Sequence, residues 1–101
     1  MALKSNISGN TVTSVLAAGE NVSKIQIIRL TNTHASVNAI VDLFIDSNLL
    51  GTFYIIKNVL LPHGTSLVLE KGLNFDNSTD GYTLYTKLSD SSSTIDIIIT
   101  T

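Results

Sequence analysis

Apolar and polar positions alternate cleanly along residues 37–45, with Val37, Ala39, Val41, Leu43 and Ile45 on one side and Asn38, Asp42 and Asp46 on the other. A period of two is the mark of a half-buried β-strand. Ile40 and Phe44 fall on the same side as the carboxylates, so that side too is expected to be partly covered, by a neighbouring segment or by another subunit. Further strands are expected over 11–16, 22–31, 49–57, 59–61, 65–70, 82–88 and 94–100, the last two forming a hairpin around Ser89-Asp90-Ser91-Ser92-Ser93. Within 22–31, Ile25 and Ile27 point one way and Ile28 and Leu30 the other. Either both faces of that strand are covered or a bulge shifts its register. Gly51 marks a further bulge or bend, and no window of a dozen residues carries a helical period.

One unit appears twice. Leu16-Ala17-Ala18-Gly19-Glu20-Asn21-Val22 and Leu61-Pro62-His63-Gly64-Thr65-Ser66-Leu67 share Leu, two residues, Gly, two residues and an apolar residue leading a strand. Glycine reaches backbone conformations closed to other residues and proline pre-sets a turn, so each copy reads as strand, tight turn, strand. Short strands spaced 8 to 12 residues apart are the pattern of a sandwich or barrel. The expected fold is all-β: an antiparallel β-sandwich, jelly-roll or immunoglobulin-like, of seven to eight strands in two sheets. Residues 1–10, small and polar, read as an extended arm that frays unless held, and 11–101 as the sandwich domain.

Composition adds a demand that the fold alone does not meet. A chain of 101 residues folds to roughly 5,500 Å² of surface and holds one modest core. Yet 44% of its residues are hydrophobic and only 14% charged, where an ordinary soluble domain carries about 25% charged residues. Uncharged surface left outside the core is best hidden against neighbours, which points to an oligomer or a docked component. Six Lys and Arg and a net charge of −2 give no basic stripe for nucleic acid. The absence of cysteine removes disulfides, thiolate metal sites and thiol nucleophiles. No stretch is long enough to span a bilayer, and the first ten residues lack the apolar core of a secretion signal, so the chain is expected to be made in the cytosol and to be soluble.

Candidate chemistry is thin. Asp76-Asn77-Ser78-Thr79-Asp80-Gly81 echoes the start of a calcium loop, but its twelfth position is Lys87 where a bidentate glutamate is needed, so a polar turn with local hydrogen bonds is expected. His34 and His63 fall in turns with no nucleophile elbow and no paired ligand spacing, and no catalytic, metal or cofactor residues are assigned. Asn6-Ile7-Ser8, Asn21-Val22-Ser23 and Asn77-Ser78-Thr79 match the glycosylation pattern at the frequency this composition gives by chance. Tyr54, Tyr82, Tyr85 and Phe53 could form a sugar-stacking platform, although the odd spacing of Tyr82 and Tyr85 puts them on opposite sides of one strand.

The repeated turn unit, with Arg29-Leu30-Thr31-Asn32-Thr33-His34-Ala35-Ser36 and Ile55-Ile56-Lys57-Asn58-Val59-Leu60-Leu61-Pro62-His63-Gly64-Thr65-Ser66-Leu67-Val68-Leu69, resembles small β-sandwich virion proteins of tailed bacteriophages over roughly residues 11–100. The resemblance implies a non-enzymatic structural protein of the virion, synthesised in the host cytoplasm. Its form would be a capsid decoration (cement) protein that stabilises the assembled particle, or else a neck, tail or fibre component. The implied partners are major capsid, neck or tail subunits and further copies of the chain, with no nucleic acid, membrane or cofactor. The arm and the loops at 32–36 and 71–81 are the expected contact regions, with Leu3, Ile7, His34, Phe44, Phe75 and Tyr82 as candidate interface residues. A carbohydrate-binding module is the alternative, and an immunoglobulin-like adhesion domain a third.

Overall fold

The computed structural model describes residues 2–22, 24–70 and 72–101. Met1 of the expected arm, Ser23 of the second expected strand and Lys71 of the long loop lie outside the described residues. The described residues form no helix and ten strands: β1 (Ala2–Ser8), β2 (Thr13–Leu16), β3 (Lys24–Ile25), β4 (Ile27–Asn32), β5 (Ala39–Ser47), β6 (Gly51–Leu61), β7 (Ser66–Leu69), β8 (Leu73–Asn74), β9 (Thr83–Leu88) and β10 (Thr94–Thr100). Each pairs, antiparallel, with its mirror image in the sequence: β1 with β10, β2 with β9, β3 with β8, β4 with β7 and β5 with β6. The chain is thus one long hairpin bent at residues 48–50. Rolling that hairpin up brings β10 beside β4 and β9 beside β5.

Two four-stranded sheets result, ordered β1-β10-β4-β7 and β2-β9-β5-β6, with β3 and β8 as a separate two-stranded strip. This is the antiparallel sandwich expected from the alternation, and a hairpin rolled into two facing sheets is a jelly roll rather than an immunoglobulin-like sandwich. Ten strands form instead of seven or eight partly because the expected strand 22–31 divides at Gln26, whose N–H donates to the Thr100 carbonyl at 2.8 Å. The division resolves the parity conflict seen in the sequence, since Ile25 and Ile28 are both buried across it.

The segments 82–88 and 94–100 do not form the expected hairpin. β9 lies in one sheet and β10 in the other, and residues 89–93 cross between them. Leu84, Thr86 and Leu88 of β9 and Ile95, Ile97 and Ile99 of β10 are all buried. Each strand sits inside its own sheet, between β2 and β5 or between β1 and β4, and turns one buried row toward the core.

Both copies of the repeated unit are corners rather than hairpins. The first carries the chain from β2 in one sheet toward β4 in the other, and the second carries it from β6 to β7 in the same sense. Leu16 and Leu61 are buried, and Gly19 and Gly64 have φ of 99° and 73°, where an L side chain is strained.

A buried asparagine pins each corner. Asn77 Nδ2 donates to the carbonyls of Ala17 (3.1 Å) and Tyr82 (2.9 Å), and its Oδ1 accepts from the Val22 N–H (3.0 Å). Asn32 Nδ2 donates to the carbonyls of Val37 and Leu61, both at 3.0 Å, and its Oδ1 accepts from the His34 N–H at 3.0 Å. Their backbones join in: the Gly19 and Asn21 N–H groups donate to the Asn77 carbonyl, and the Gly64 N–H donates to that of Asn32. Both asparagines are 0% exposed. A buried amide whose hydrogen bonds are all made specifies one local arrangement, because every alternative leaves polar groups unpaired.

Between the sheets, the inward rows interlock. In the first sheet Ile28 lies between Ile99 and Leu69, and Leu30 between Ile97 and Leu67, giving two rows across β10, β4 and β7. Val41, Leu43, Leu84 and Leu88 supply the other wall. Leu30 and Leu43 are 0% exposed, so truncating either leaves a cavity that the packed rows cannot close. Leu30→Ala or Leu43→Ala is expected to lower unfolding stability by about 2–5 kcal/mol, read as a fall in the urea midpoint at unchanged slope. An unmoved midpoint would mean that the two sheets do not pack on these rows.

Candidate interaction surface

The outer faces of the two sheets differ in chemistry. On the first sheet, outward polar side chains bond across strands: Asn6 Nδ2 donates to Asp96 Oδ1 at 2.7 Å, and the hydroxyls of Thr31 and Ser66 lie 2.8 Å apart. On the second, Phe44 of β5 sits between Tyr85 of β9 and Tyr54 of β6, with ring centroids 5.6 and 5.1 Å away. Lys57 Nζ lies 4.1 Å from the Tyr54 ring centroid, a cation over an aromatic face. Ile40 and Leu60 pair further along the same outer face.

Exposed apolar side chains are concentrated on the hairpin that carries this row. Of seven substantially exposed large apolar side chains among the described residues, Ile40, Leu49, Leu50, Phe53, Tyr54 and Leu60 belong to the β5–β6 hairpin, and Val12 is the exception. Scattered apolar residues on a surface need no explanation, but a contiguous set on one element marks an interaction site. Leu49, at the turn, is 83% exposed. The turn that presents it is held by the Leu49 N–H donating to Ser47 Oγ (3.3 Å) and by a hydrogen bond from the Thr52 hydroxyl to the Asp46 carboxylate.

β6 is an edge strand, yet a poor template for a further strand. Its register with β5 shifts twice, between Val41 and Leu43 and between Leu43 and Phe44, and Asn58 has a φ of 54° with its N–H bound to Asp42 Oδ1 at 2.7 Å. Bulges and an outward lysine are the devices by which sheet edges avoid ladder extension. The hairpin therefore offers side chains rather than a free ladder.

The residues singled out in the sequence divide accordingly. Phe44 lies within the aromatic row, and Tyr82 meets Phe53 edge-on, 6.0 Å between centroids, on the opposite side of the hairpin from Phe44. Tyr54 and Tyr85 therefore share a face from which Phe53 and Tyr82 are excluded, as the odd spacing of Tyr82 and Tyr85 requires, and the four do not form one sugar platform. Ile7 and Phe75 are buried in the chain's own core, and Leu3 is half-buried against it. His34 Nδ1 accepts the N–H groups of Ser36 and Val37, each at 3.0 Å, which spends its acceptor on shaping its own loop.

The loops at 32–36 and 72–81 are tied to the corners through Asn32 and Asn77. Asp76 Oδ1 accepts the Ser78 N–H at 2.9 Å, and hydrogen bonds from the Ser78 side chain and backbone hold its carboxyl below the ordinary aspartate value. The segment is a polar turn with local hydrogen bonds, and among the described residues no group of three or more His, Asp or Glu could hold a metal ion. Leu49, Leu50 and Leu60 are the residues missed from sequence, and Phe53 and Tyr54 stood out there only as members of a sugar platform. The available signal was the run 49–61, in which apolar residues occupy both parities, as they do where a strand is covered on both faces.

No protein-family model and no curated protein matches the sequence. Among solved structures, the chain is similar to one described under the words "Bacillus endospore appendages form a novel family of disulfide-linked pili", with a TM-score of 0.55 and 12% identity over 100% of this chain and 87% of that chain. At that identity the likeness is one of fold. The present chain has no cysteine, so no disulfide can join its copies.

Proposed function

We propose that this chain is a non-enzymatic structural subunit that acts by packing against copies of itself and companion subunits in a repeating assembly. The observation that carries the reading is the gathering of exposed apolar and aromatic side chains on one hairpin of a chain poor in charge. An isolated monomer would leave that surface in water, whereas a lattice covers it and is stabilised only once formed. The fold likeness to a pilus subunit supports a self-assembling role. The sequence resemblance to tailed-phage virion proteins favours a surface component of the virion, in the manner of a capsid decoration protein, over a pilus.

Sedimentation velocity of the purified chain tests the reading. The wild type is expected to sediment as an oligomer, and Leu60→Asp, at an exposed outer position, to sediment substantially slower while its unfolding stability stays within about 0.5 kcal/mol. A wild type that remains monomeric at high concentration and fails to bind assembled particles overturns it.

A further inference from the structure

The molecule carries a second apolar feature that its own fold leaves unfilled. Where the edge strands β6 and β7 of the two sheets part, a cleft of about 450 Å³ opens, floored by Ile25 and Ile28 and walled by Ile55, Val68, Leu69 and Leu73. Among the described residues its polar lining is limited to Gln26, Glu70 and the backbone at Gly72. Resting on the structural reading above, we propose that this cleft receives the Leu49-Leu50 turn of a second copy, in a head-to-tail contact that repeats from subunit to subunit.

Three observations choose a second copy as the occupant. The turn is the most exposed apolar element among the described residues, is held in shape before any contact forms, and presents two adjacent leucines suited to an aliphatic cleft. No copy can fill its own cleft: Leu50 directly precedes β6, and the strand carries Ile55 roughly 17 Å beyond it at about 3.3 Å per residue. With a net charge of −2 the copies repel only weakly at a distance, and the contact is made by leucines while Glu70 at the cleft and Asp46 behind the turn are the carboxylates nearest to it. A patch that fits a pocket elsewhere on the same surface makes a heterologous contact, which builds rings or open filaments rather than closed pairs.

The cysteine-free chain makes the contact directly testable. Leu49→Cys is mixed with Ile55→Cys, and separately with Leu73→Cys, under mild oxidation, after circular dichroism has confirmed that each variant keeps its strands. Either mixture is expected to give a covalent dimer containing one chain of each kind, because the turn of one copy then lies within disulfide reach of the cleft of another. The double variant Leu49→Cys/Ile55→Cys is expected to give a ladder of higher species on a non-reducing gel. Leu49→Asp/Leu50→Asp is expected to lose the wild-type oligomer. If Leu49→Cys bridges only to itself, or if neither mixture bridges while the wild type sediments as an oligomer, the turn-into-cleft contact is wrong and the structural reading stands. A wild type that never associates with itself overturns the turn-into-cleft contact, and one that also fails to bind assembled particles overturns the structural reading as well.

Discussion

Asn77→Asp is expected to lose roughly 3–6 kcal/mol of stability, enough to leave much of the protein unfolded at 37 °C, because a carboxylate cannot donate and the carbonyls of Ala17 and Tyr82 then face a buried negative charge. A protein of this size has only about 5–15 kcal/mol to lose. The substitution is nearly isosteric, so the loss reports hydrogen-bond direction and charge rather than volume. Asn32→Asp is expected to behave alike at the other corner, where the carbonyls of Val37 and Leu61 lose their donor. Asn48→Asp, in the exposed turn of the β5–β6 hairpin, serves as the control and is expected to change stability by no more than about 0.5 kcal/mol. Urea unfolding followed by circular dichroism separates the cases. Equal midpoints for Asn77→Asp and Asn48→Asp would show that the first corner does not depend on its amide.

Removing residues 1–8 is expected to abolish cooperative unfolding. β1 pairs with β10 without a register break from Ala2–Thr100 to Ser8–Thr94, and it places Ile7 beside Ile95 in the core. Burial of one such side chain is worth about 1.5–3 kcal/mol. The deletion also uncovers the flank of β10, an isoleucine-rich strand, as a fresh sheet edge open to aggregation. The measurement is the thermal unfolding transition of the truncated chain together with light scattering. A sharp transition near that of the full chain would mean that the segment is a detachable arm, as its polar sequence suggests, and that its pairing adds little.

What could be read from the sequence follows from which signals are local. The alternation at 37–45 reports which side chains are buried, and β5 buries Ala39, Val41 and Leu43 of that row. The opposed parities of Ile25 and Ile28 are likewise local; they leave open two covered faces or a shifted register, and the structure breaks the strand at Gln26. Alternation does not say which strand lies alongside, so 82–88 and 94–100 read as a hairpin although a crossover separates them. The first ten residues read as an arm that must be held for a related reason: Lys4, Ser5 and Asn6 are poor strand formers, and what makes the segment a strand is β10, nearly the whole chain away. Asn32 and Asn77 look like ordinary turn residues in a sequence, since Ala17, Leu61 and the other groups they bond are supplied by distant segments. The hairpin surface was half legible. Phe44 stood out against its carboxylate neighbours, while Leu49 and Leu50 were passed over as part of a strand's beginning.

The mirror pairing of strands fixes an order of events during synthesis. Sequence distance between partners grows from a few residues, Ser47 opposite Gly51, to almost the full length, Ala2 opposite Thr100. Zipping can begin at the β5–β6 turn and must advance outward, with the slow loop closures last. On the ribosome, β1 emerges first and waits longest, its mate appearing only when β10 has cleared the exit tunnel. Until then an unpaired strand and half a core are exposed to the crowd of nascent chains, which makes this a molecule whose yield should depend on the speed of translation and on chaperones that shelter the N-terminal half.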